Sequence, residues 1–234
     1  MTGGVDPLVW YAAFGSNMSS ARLACYLAGG VPHGASRVYE GCRDPTPPRE
    51  HRSITIAGRL RFAGESSVWG GGMAFYTPGD EGVVHVRAYL LSLEQLADVV
   101  AQETRHPVGQ TLVLAEHGPT RHGLSRIYDV VLDLGELDGH RLLTLSSSLD
   151  HPVNPPSEAY LRTMMDGLAE GFALNVEEQI AYLAGLTGMS PTWTLDELSR
   201  LRRGAQSNQA RSIATIQRRR GCSVTDQIRS EEGQ

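Results

Sequence analysis

An α+β fold is predicted, with a curved or closed antiparallel or mixed, barrel-like sheet and flanking helices. Three observations predict it. Apolar runs of strand length with partial alternation recur from Val9 to Leu145, helical periodicity takes over from Ser157, and Gly- and Pro-rich turns separate the segments. Strands followed by helices bury one sheet against a helical layer. With 234 residues the chain can build one sizeable core. We read residues 1–190 as that domain and 191–234 as a C-terminal helix with a polar, Arg-rich, partly disordered tail.

The first strand is the apolar, aromatic run from Val9, which breaks at Gly15-Ser16-Asn17. A helix over Ser19–Leu27 follows and stops at Gly29-Gly30. Gly41 to Arg52 holds Pro45, Pro47 and Pro48 and is a loop. Ile54–Phe62, Met73–Tyr76 and Val83–Leu91 read as strands, the last after the turn Pro78-Gly79-Asp80. Ser92 and Gln95 form a capping box that opens a helix toward Glu103. Ser125–Leu134 and His140–Leu145 form a late hairpin closed by Gly135–Gly139. Helices over Ser157–Leu168 and Asn175–Leu186 come next, Thr194 and Glu197 form another capping box, and Gly204–Gln234 is disordered or loosely helical.

Charge and cysteine usage narrow the partners. The formal charge is −5, and all 21 basic residues are Arg. An acidic chain of this kind does not select nucleic acid or an anionic membrane, and the cluster Arg218-Arg219-Arg220 is a solvated patch in a polar tail. Cys25, Cys42 and Cys222 are too few and too scattered for a disulfide framework or a zinc ribbon. No signal peptide or membrane span is read, so a cytoplasmic location is expected. The oligomeric state is not legible.

Two places carry chemistry. The run Tyr11-Ala12-Ala13-Phe14-Gly15-Ser16-Asn17 ends a strand in a turn that gathers backbone N–H groups, a concavity suited to a carboxylate or a developing oxyanion. An ordinary strand-to-helix turn is the competing reading. In the helix after Ser92, Leu93, Leu96, Val100 and Glu103 share one apolar face, while Glu94, Gln95, Asp98 and Gln102 lie opposite. A carboxylate at the end of a buried stripe is expected to have a raised pKa and to move protons near neutral pH. Pairing with Arg105 is the alternative. No metal site is expected, because His85, His106, His117, His122, His140 and His151 show no metal-ligand spacing. Cys25 reads as a core residue, and Ser16 lacks an identifiable base, so neither is a nucleophile.

Tyr11 to Met18 resembles the Tyr-x-x-Tyr-Gly-Ser-Asn-Leu/Met signature of the γ-glutamylcyclotransferase-like family, with Phe14 where that family has Tyr. Ala101 to Thr104 is similar to the family's Glu/Asp-x-Glu-Gly element, with Thr104 in place of Gly, and Pro156-Ser157-Glu158-Ala159-Tyr160 to its Pro-Ser-x-x-Tyr segment. The resemblance implies that Tyr11, Ala12, Ala13, Phe14, Gly15, Ser16, Asn17 and Tyr160 bind a small γ-glutamyl substrate, and that Glu103 is the acid/base. It also implies a cofactor-independent reaction in which the substrate's α-amine attacks its own side-chain amide, releasing 5-oxoproline and an amine or amino acid. Two alternatives stay open: a hydrolase or acyl transferase using the same pocket, and a non-enzymatic module that binds a small ligand or partner.

Overall fold

The computed structural model describes residues 6–79, 81–123 and 125–204. The first strand, β1 (Leu8–Ala13), is apolar at every position because both of its faces are covered. Trp10 and Ala12 enter one core cluster, whereas Val9, Tyr11 and Ala13 enter another on the opposite face. The strand sits inside an open six-stranded sheet of order β2 (Glu50–Ala57), β5 (Val83–Ser92), β1, β8 (His140–Ser146), β7 (Val130–Leu137) and β6 (Thr120–Arg121). Tyr11 stands opposite Tyr89 in the antiparallel pair with β5, and opposite Leu143 in the parallel pair with β8. The sheet is mixed and flanked by helices, as the α+β prediction requires. The closed-barrel option is corrected: among the described residues the edge strands β2 and β6 do not pair with each other.

The strand predicted over Ile54–Phe62 is two strands. β2 ends at Ala57, and after Gly58 the chain enters β3 (Arg59–Ala63), which pairs with β4 (Met73–Thr77) in a separate two-stranded sheet. Burial explains the break. β2 is an edge strand that is largely exposed, whereas Leu60 and Phe62 of β3 lie in the first cluster. The late hairpin starts at Val130 rather than Ser125, which frees Tyr128 to face a cleft instead of a strand partner.

Helices cover both faces. α1 (Ser20–Ala28) and α2 (Leu93–Glu103) bring Leu23, Tyr26, Leu96 and Val100 to the second cluster. α3 (Glu158–Gly171), α4 (Val176–Ala184) and the helical residues 195–204 bring Leu161, Met164, Leu183, Leu198 and Leu201 to the first. Thr194 and Glu197 form the expected capping box. The C-terminal helix therefore packs on the same core as the rest, while the expectation for the polar tail falls on residues 205–234, outside the described residues. Among the described residues, no helix is long and apolar enough to cross a membrane.

The polar side of α2 is not the solvated face that its residue types suggest. Gln95, Asp98 and Gln102 are fully buried, covered by the Pro-rich loop that follows Gly41. Asp98 accepts from the Arg43 amide at 2.9 Å, from the Arg43 guanidinium and from the Gly109 amide at 2.8 Å. Gln95 donates to the carbonyls of Asp44 and Thr46, and Gln102 to that of Tyr26. The periodicity of α2 shows its apolar stripe but not a loop arriving from some 50 residues upstream, here the 55 residues between Arg43 and Asp98. We predict that Asp98→Ala lowers stability by about 2–4 kcal/mol, since several hydrogen bonds to one buried carboxylate disappear together. Urea unfolding measures it, and a change below about 0.5 kcal/mol, the usual size at an exposed site, contradicts the assignment.

Candidate active site

β1 delivers Phe14 and Gly15 to the floor of a cleft, where the chain turns through the short helix Ser16–Met18. Ser16 and Asn17 are buried there. The cleft, solvent at its mouth included, occupies about 790 Å³. Its walls come from α1 (Arg22, Tyr26), the C-terminal end of α2 (Glu103), the Ser66–Trp69 turn, Tyr128 and the first turn of α3 (Tyr160).

Gly15 is required by close approach. A Cβ at this position would lie 2.6 Å from the Tyr160 hydroxyl, well inside van der Waals contact. That hydroxyl accepts from the Ala74 amide at 3.3 Å and is also approached by the Ser16 amide. Burial pushes the Tyr160 phenol up to about 12, so it stays neutral in the cleft. Burial raises Tyr11 as well, with the Glu103 charge adding to the effect.

Asn17 joins the turn to α2. Its Nδ2 donates to the Tyr11 hydroxyl and to Glu103 Oε1, each at 2.9 Å. A carboxylate only accepts, so this pairing fixes which end of the amide faces Glu103. Asn17 Oδ1 is left buried with no donor. A buried acceptor without a partner costs about 1–3 kcal/mol, and a ligand bringing an N–H group into the cleft would satisfy it. Neither the Gly15 amide nor the Asn17 amide meets an acceptor in the turn's backbone hydrogen bonds, which makes two further donors available there.

The structure thus brings Tyr11, Phe14, Gly15, Ser16, Asn17, Glu103 and Tyr160 to one cleft. Ala12 and Ala13 are corrected: both are almost wholly buried in the strand, one in each core cluster, and neither lines the cleft. The buried-stripe expectation for Glu103 is corrected in part. Leu96 and Val100 are buried, but Glu103 is only half-buried because the end of α2 opens into the cleft, and its carboxylate engages Asn17 rather than Arg105. Arg22, Tyr26, Tyr39, Trp69 and Tyr128 were missed. Arg22 and Tyr26 had a readable signal, since they are four apart on the inner face of α1 with Leu23 and Leu27. Tyr39, Trp69 and Tyr128 come from irregular segments, where periodicity carries no information. Among the described residues, no three His, Cys, Asp or Glu side chains are placed to hold a metal ion.

No protein-family model matches the chain. Its sequence is similar to histone deacetylase 5 of Arabidopsis thaliana, 36% identical over 198 residues, which cover 75% of this chain and 30% of that protein. The chain thus spans under a third of that relative's length. Its structure is similar to a solved γ-glutamyl cyclotransferase, with a TM-score of 0.50 at 15% identity over 86% of this chain and 99% of that one. It is also similar to a human protein described as uncharacterised, with a TM-score of 0.51 at 16% identity over 85% of this chain and 98% of that one. What the chain shares with both structures is the fold.

The contact at Gly15 yields a direct prediction. Gly15→Ala destabilises the protein by about 1–3 kcal/mol, the usual cost of forcing one extra carbon into a packed site. Adding Tyr160→Phe recovers most of that loss, because the clashing oxygen is removed. Unfolding midpoints of the two single variants and the double variant check it; strictly additive losses contradict it.

Proposed function

We propose that the protein is a cyclotransferase that cleaves a γ-glutamyl amide, releasing 5-oxoproline and a free amine or amino acid. The observation that carries the reading is the Asn17 bridge, which sets a carboxylate beside a turn with one unpartnered buried acceptor, Asn17 Oδ1, and the unspent amides of Gly15 and Asn17. The fold shared with γ-glutamyl cyclotransferase supports it.

In this reading Glu103 takes a proton from the substrate's α-ammonium, whose ordinary pKa is near 8. Asn17 Oδ1 accepts a remaining N–H of that amine and aims its lone pair. The nitrogen attacks the side-chain carbonyl, and the amides of Gly15 and Asn17 receive the developing oxyanion. As the ring closes, the old C–N bond breaks and Glu103 returns its proton to the leaving nitrogen; it then takes the second proton from the ring nitrogen and passes it to the released amine, so one carboxylate serves every transfer. Holding the substrate in a ring-like conformer supplies much of the remaining acceleration. Phe14 and the neutral phenols of Tyr11 and Tyr160 shape the cavity and carry no charge that would oppose Glu103.

The deacetylase activity in the plant relative's name is not carried over. The chain spans under a third of that protein's length, so the name describes a longer protein than the part matched here.

Glu103→Gln is expected to lower 5-oxoproline release by about 10³-fold, within the range for removing a general acid/base. Its unfolding midpoint should stay near that of the parent, because Gln keeps the shape and still meets Asn17. Retention of more than a tenth of the activity removes Glu103 from this role.

A further inference from the structure

The interior arginines of this protein differ in how their charge is answered. Arg87, 5% exposed, pairs with Glu170 at 2.5 Å, and Arg202, 8% exposed, pairs with Asp166 at 3.4 Å. Arg22, 4% exposed, spends Nη2 on the hydroxyls of Tyr26 at 2.7 Å and Tyr39 at 2.9 Å. Its Nε and Nη1 have no acceptor. The guanidinium lies 4.1 and 4.4 Å from the centroids of those two rings and 5.7 Å from that of Trp69. Phenols and π faces offset part of the cost of burying a cation, but they do not neutralise it. A guanidinium cannot shed its proton to escape that cost.

This unanswered cation lines the same cleft as Glu103. The two side chains are close enough for the Glu103 charge to act on Arg22, yet Glu103 makes its hydrogen bond with Asn17. A γ-glutamyl group carries an ammonium and a carboxylate on one carbon, and the cleft offers an anion and a buried cation a short distance apart. We propose that Arg22 is the carboxylate receptor of the cleft and binds the α-carboxylate of the substrate, a role that rests on the cyclotransferase reading. The turn at Gly15 is then left for the reacting carbonyl. Arg22 would be a binding and positioning residue that selects α-carboxylated substrates and moves no proton.

The test compares a γ-glutamyl amide with the matching 4-aminobutanoyl amide, which lacks only the α-carboxylate and cyclises to 2-pyrrolidinone. The parent protein should prefer the γ-glutamyl amide in kcat/KM by about 10- to 100-fold, the range expected for hydrogen bonds to a charged group. In Arg22→Gln that preference should fall to near unity, with the change in KM. Arg22→Lys, which keeps the charge but loses the planar donors, should fall in between, and it carries the comparison if the glutamine variant does not fold. Parallel loss on both substrates, or an unchanged preference, overturns the proposal. Binding of 5-oxoproline and glutarate, followed by calorimetry without turnover, separates it from the cyclotransferase reading. Binding that weakens at least tenfold in the variants while no amide is cyclised supports the carboxylate site and defeats the proposed reaction. Binding that is absent, or indifferent to Arg22, defeats the carboxylate site.

Discussion

Gly167 lets α3 rest directly on the turn that follows β1, and the candidate site depends on that contact. A Cβ at this position would come within 2.5 Å of Met18 Cβ and 2.7 Å of the Ser19 amide. The same pair of elements meets again at Gly15 and Tyr160. Glu170, one turn further along α3, accepts from the Ser20 amide at 3.0 Å, from the Ser20 hydroxyl at 2.6 Å and from Arg87 at 2.5 Å. A buried arginine and the start of α1 are thereby tied to one carboxylate. The turn is clamped from behind by helix packing and an ion pair, and the amides of Gly15 and Asn17 are not spent on holding it.

From the other side, α2 brings Glu103 to the turn, and here the constraint is polar. Gln95 and Asp98 anchor the Pro-rich loop against the helix, and Gln102 holds both the Gly41 amide at the start of that loop and the Tyr26 carbonyl of α1. Asn17 then closes the arrangement through its bonds to Tyr11 and Glu103. A folded protein tolerates a buried acceptor such as Asn17 Oδ1, and a buried cation such as Arg22, when they await a ligand that completes them. In the proposed reading, two incomplete groups of opposite electrostatic need on the walls of one cleft are what a zwitterionic substrate end would complete.

What could be read from the sequence follows from how local each signal is. β1 and its turn were legible because an apolar run broken by Gly15-Ser16-Asn17 is a local pattern, and α2 because a capping box and a stripe ending in Glu103 are local too. The pairing of Asn17 with Glu103 spans 86 residues, and no periodicity reports such a contact. Ala12 and Ala13 were included with the turn because they share its sequence run, but strand geometry points them into the two cores. The burial of Asp98 depends on a distant loop. The strand expected over Ile54–Phe62 reads as one partly alternating stretch, and only the change of sheet partner after Ala57 divides it.

The most direct measurement is the identity of the product formed from a γ-glutamyl amide in water enriched in oxygen-18. Cyclisation consumes no water, so the account predicts 5-oxoproline without heavy oxygen, equimolar with the released amine. Glutamate carrying one heavy oxygen would mean that water is the nucleophile in this cleft and would contradict the account.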